Sequence, residues 1–82
     1  MKSIFYTRAA ARALRKHRNM AARITVKIEE YAENPGALAN VVTEMVGKDY
    51  LRMRVGDFRV LFRETATELT VLDLGPRGGI YD

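Results

Sequence analysis

Eighty-two residues allow one domain with a thin core, and 48% hydrophobic with 29% charged residues describes a folded chain and not a disordered one. With no cysteine and a single histidine, His17, the sequence excludes a disulfide framework, a thiolate nucleophile and a zinc site, so no metal and no small-molecule cofactor is expected. A formal net charge of +4 and a pI near 9.8 point to an anionic partner.

Residues 2–6 alternate polar with apolar or aromatic side chains, which predicts a strand, and Thr7 is placed to cap a helix that follows. Over residues 8–18, Ala10, Leu14 and His17 recur at helical spacing, while Arg8, Arg12, Arg15 and Lys16 mark a solvated side that adds long-range attraction for a polyanion. Asn19 is the expected cap of a second helix running to Glu33, with Ala21, Ile24, Ile28 and Tyr31 as its buried stripe. Asn34-Pro35-Gly36 ends that helix, because proline disfavours helical geometry in the residue before it.

A strand near residues 41–46 is expected next, with Gly47 as its turn. Residues 50–55 and 58–64 both alternate, and Gly56-Asp57 between them is a two-residue hairpin turn. Residues 65–67 read as a polar loop, 69–74 as a last strand, and 75–79 as a flexible segment leading to Ile80-Tyr81-Asp82. The order of strand, helical hairpin and three or four antiparallel strands specifies an α+β domain over residues 1–82, with both helices on one face of the sheet. No apolar run approaches the roughly 20 residues of a membrane span and no signal-peptide block opens the chain, so a cytoplasmic protein without membrane association is expected.

A two-residue turn fixes the hairpin register. Leu51, Met53, Val55, Phe58, Val60 and Phe62 fall on one apolar face, and Tyr50, Arg52, Arg54, Arg59, Leu61 and Arg63 on the other. Arg54 then stands directly opposite Arg59, with Cβ atoms ~5 Å apart, an unfavourable like-charge pair in a sheet. The repulsion is on the order of 1 kcal/mol in water and ~3 kcal/mol at an intermediate dielectric. A phosphate between two guanidinium groups reverses that sign through charge-assisted, bidentate contacts. The bland alternative is a solvated face whose arginines pair with Glu44, Glu64 or Asp73; four arginines on one surface favour anion binding.

The run YLRMRVGDFRVLF at residues 50–62, followed by LDLGPRGGIY at 72–81, resembles the RelE/ParE toxin superfamily. Its members carry an R-x-R-x-G-D-[YF]-R hairpin and close on a basic position, arginine, two variable positions, an aliphatic residue and tyrosine. The resemblance implies the RelE-like fold and a toxin that cuts mRNA in the ribosomal decoding site without metal, restrained by a cognate antitoxin. It assigns catalysis to Arg59, Arg77 and Tyr81 and, with the charge of the face, substrate binding to Arg52, Arg54 and Arg63. Pro76 stands where relatives carry histidine or lysine, which removes one candidate proton shuttle. Two other functions stay open, a gyrase-directed toxin of the same fold and a non-catalytic RNA-binding module.

Overall fold

The computed structural model describes residues 1–78. β1 (Ser3–Tyr6) leads into α1 (Arg8–Lys16) and α2 (Arg18–Glu33), a 3₁₀ segment (Pro35–Val41) follows, and β2 (Val42–Glu44), β3 (Leu51–Val55), β4 (Phe58–Glu64) and β5 (Glu68–Pro76) complete the chain. β2 to β5 are the expected antiparallel set. β1 extends it to a five-stranded sheet of order β1-β5-β4-β3-β2, lying parallel to β5. A helical crossover between the chain's first strand and the sheet permits that parallel return.

Thr7 does more than the sequence promised. Its hydroxyl accepts from the Ala10 N–H at 3.1 Å, which caps α1, and donates to the Leu72 carbonyl in β5. Leu72 is the extra residue of a bulge, since Leu61 pairs with Asp73 while Phe62 pairs with Val71. One threonine thus fixes both the start of the helix and the irregularity in the strand beneath it.

Three expectations need correction. α1 ends at Lys16 and α2 begins at Arg18, so His17 alone joins them and the second helix has no side-chain cap; Asn19 lies inside its first turn. The strand expected at 41–46 is reduced to Val42–Glu44, preceded by 3₁₀ turns. Gly75 and Pro76 are not a flexible linker but the end of β5, paired with Arg59 and Phe58. Proline is tolerated there because a terminal strand position has no further ladder bond to donate.

The core lies between the helices and one sheet face. Ala10, Ile24, Ile28, Tyr31 and Ala32 pack with Met53, Val55, Val60, Phe62, Leu69, Val71 and Leu74. Tyr31 meets Phe62 edge-on with ring centroids 5.0 Å apart, and His17 does the same to Phe58 at 4.9 Å. Among the described residues, no helix is long and apolar enough to cross a membrane.

At the edge of this core, the Tyr31 hydroxyl donates to Glu64 Oε1 at 2.8 Å, and Lys2 Nζ reaches Glu64 Oε2 at 2.7 Å. Burial, then the hydrogen bond and charge of Glu64, push the Tyr31 phenol from its ordinary 10.0 up to about 12. Because the folded value lies above the unfolded one, this contribution is complete below pH 10 and disappears as pH rises through about 12. Tyr31→Phe is expected to cost about 1.5–3 kcal/mol in urea unfolding at neutral pH, as for a hydrogen bond to a charged group. The gap between the two proteins should close as the phenol ionises in the wild type.

Candidate functional site

β3 and β4 are joined by Gly56-Asp57 in the expected register, with Val55 opposite Phe58, Arg54 opposite Arg59, Arg52 opposite Leu61 and Leu51 opposite Phe62. Gly56 has φ +59, a left-handed conformation that suits glycine. A side chain there would also stand 3.2 Å from Nη1 of Arg23, whose guanidinium lies across the turn from α2. Gly56→Ala is therefore expected to cost about 1–2 kcal/mol, mostly backbone strain. Arg23→Ala in the same chain should recover little of the loss of thermal stability.

The alternation of β3 and β4 separates the sheet into two surfaces. Met53, Val55, Val60 and Phe62 are buried toward the helices, whereas Arg52, Arg54, Arg59 and Leu61 alternate onto the opposite side of the sheet. Leu61 is nonetheless 2% exposed, flanked in register by Arg52 and Asp73, so the arginine side has an apolar floor. Charges held against such a floor act on one another, and on a bound anion, more strongly than in open water.

Arg52, Arg54 and Arg59 line one small cleft of about 60 Å³, together with Asn40, Val41 and Thr43. Arg54 is exposed, whereas Arg52 and Arg59 are half-buried. Directly across from Arg59 on β5 stands Gly75. Glu64 serves Lys2 and Tyr31 on the core side, and the Asp73 carboxylate accepts from the Leu74 N–H at 2.8 Å.

The other candidates are distributed as follows. The Arg77 N–H donates to the Asp57 carbonyl at 2.7 Å, which fastens the chain beside the hairpin turn, at the same end of the sheet as the Arg54–Arg59 pair. Arg63 shares the strand with Arg59 but lies four residues along it, ~13 Å away. It pairs with Asp49 at 3.5 Å and lines a different depression with Glu44 and Glu64. Tyr81 lies outside the described residues. Asn40 and Thr43 were not anticipated from sequence. Thr43 pairs with Arg52, and this could be read only once the short β2 strand had a register.

Arg8, Arg12, Arg15 and Lys16 are all exposed along α1, as expected of a solvated basic side. Among the described residues, no cluster of three or more histidine, aspartate or glutamate side chains is arranged to hold a metal ion. The site as built is a concentration of positive charge with hydrogen-bonding neighbours, suited to neutralising and orienting a phosphate.

The family model for the ParE toxin of type II toxin-antitoxin systems matches residues 4–81. No curated protein sequence matches the chain. Among solved structures, a chain of the Escherichia coli DinJ-YafQ toxin-antitoxin complex superposes with a TM-score of 0.80 at 15% identity, over 99% of this chain and 98% of that one. A chain of the RelBE2 toxin-antitoxin complex of Mycobacterium tuberculosis gives a TM-score of 0.72 at 22% identity, covering 93% and 98%. A chain of the RelB-RelE antitoxin-toxin complex of Methanococcus jannaschii gives 0.72 at 22%, covering 95% of each. At these identities the structural matches establish a shared fold.

Proposed function

The chain belongs to the ParE toxin family of type II toxin-antitoxin systems, and from that premise we propose that it arrests growth as a metal-independent endoribonuclease acting on mRNA in the ribosome. The observation that carries this reading is the convergence of Arg52, Arg54 and Arg59 on one cleft, with Arg77 fastened to the adjoining turn. In the reaction, the ribose 2′-oxygen bonds to the neighbouring phosphorus and the bond to the 5′-oxygen breaks. A proton leaves the 2′-hydroxyl and another is delivered to the departing 5′-oxygen, which yields a 2′,3′-cyclic phosphate and a 5′-hydroxyl end. The five-coordinate centre gathers negative charge, and prepositioned guanidinium groups stabilise it more than they stabilise the ground state. Tyr81 is the residue proposed to orient the ribose or accept its proton.

Its restraining partner is a cognate antitoxin, in keeping with the toxin-antitoxin complexes whose chains share this fold. We assign to that antitoxin a segment that wraps the helices and brings acidic side chains to the arginine surface. A second reading, a gyrase-directed toxin, is favoured by the matched family being that of ParE. In that case the arginine cleft holds no scissile phosphate. Purified toxin added to ribosomes programmed with a defined mRNA separates the two. The nuclease reading expects new 5′-hydroxyl ends within the decoding site, while intact mRNA together with inhibited DNA supercoiling favours the second.

A further inference from the structure

The arginine cleft is closed on one side by the segment that enters β2. Asn40, near the end of the 3₁₀ segment, and Thr43, the cross-strand partner of Arg52, both line it, and both are otherwise exposed. We propose that Asn40 and Thr43 are phosphate-binding residues, their amide and hydroxyl completing a cup that takes the scissile phosphodiester of single-stranded RNA. The proposal rests on the nuclease reading and adds to it residues and a recognition rule.

Size carries the first part of the argument. A water molecule needs ~10–15 Å³ of such space. A cleft of about 60 Å³ therefore accepts a group of a few heavy atoms, the size of one phosphate. The second part is the donor set. The guanidinium groups that line the cleft supply charge and forked donors, whereas an amide and a hydroxyl add donors without adding charge. Guanidinium groups on β3 and β4 approach the anion from the sheet, and Asn40 and Thr43 approach it from the rim, so the phosphate oxygens are held from two directions. Position is thereby fixed as well as charge neutralised, which a loose basic surface does not achieve. The cup reads backbone alone, so base preference must come from elsewhere in the complex.

The test uses the intact toxin on ribosomes programmed with mRNA in which one non-bridging oxygen of the scissile phosphate is replaced by sulfur, each diastereomer separately. Wild-type toxin should cut one diastereomer more slowly than the all-oxygen mRNA. Thr43→Val and Asn40→Ala should each slow cutting of normal mRNA about ten- to a hundredfold, as for a lost hydrogen bond to a charged group, and should shrink the sulfur effect. Thr43→Ser should behave as wild type, and Asn40→Asp, which places a negative charge at the rim, should be slower than Asn40→Ala. Unchanged melting temperatures identify these as effects on the site. If Thr43→Val and Asn40→Ala cut at the wild-type rate with the full sulfur effect while Arg54→Ala is slow, the cup is refuted and the nuclease reading stands. If wild-type toxin cuts neither mRNA, the nuclease reading falls and the cup with it.

Discussion

Replacing Arg59 by alanine is expected to lower the rate of mRNA cleavage by about 10²–10³-fold, the loss that follows removal of one preorganised donor to a developing negative charge. Arg59 lines the cleft, opposite Arg54 on β3 and Gly75 on β5, with its Nε shielded from solvent. Its backbone position is set by β4, a seven-residue strand bonded on both sides. Stability should respond differently. Arg59 lies outside the helix-facing core, so the loss of activity should not be accompanied by unfolding, and Arg59→Ala should still melt as a folded domain. Arg59→Lys keeps the charge and loses the planar fork, and is expected to fall between alanine and wild type. A variant that cleaves at the wild-type rate would show that the cleft does not hold the reacting phosphate.

Phe62→Ala should have the largest effect on the fold, a loss of about 3–5 kcal/mol, because the deleted ring leaves a cavity that rigid neighbours cannot fill. Phe62 is fully buried in β4 beneath Tyr31, and its cross-strand partners Leu51 and Val71 also face the core. A domain of this size is stable by roughly 4–12 kcal/mol, so a loss of that size brings it close to unfolding at 37 °C. Val26→Ala on the exposed side of α2 serves as the control and should change stability by no more than about 0.5 kcal/mol. Urea unfolding of the two variants gives the comparison directly. Equal midpoints would mean that the sheet and helices do not share the single core described.

The hairpin was legible in the sequence because a two-residue turn leaves one register, and that register places every side chain of residues 51–62 on a definite face. The same logic failed where local signals competed. Asn19 has good capping chemistry, yet the helices are joined through His17 alone, which leaves no extended residue for Asn19 to occupy. Gly75-Pro76 carries the usual signature of a break. Pairing with β4 overrides it, and the extension of β5 in turn brings Arg77 to the hairpin turn. The parallel placement of β1 depends on contacts across more than sixty positions, Ile4 with Leu69 for example, which no local pattern encodes. Alternation alone places Arg52, Arg54 and Arg59 on one face of the hairpin, and the three line one cleft. Arg63 obeys the same alternation but is carried away by distance along the strand and held by Asp49.

The most direct test is primer-extension mapping of cellular mRNA shortly after the toxin is induced without its antitoxin. Cuts confined to translated frames and spaced in phase with codons, absent when Arg59→Ala is induced to the same level, are the expected pattern. Uncut mRNA in arrested cells, with induction of the DNA-damage response, would contradict it.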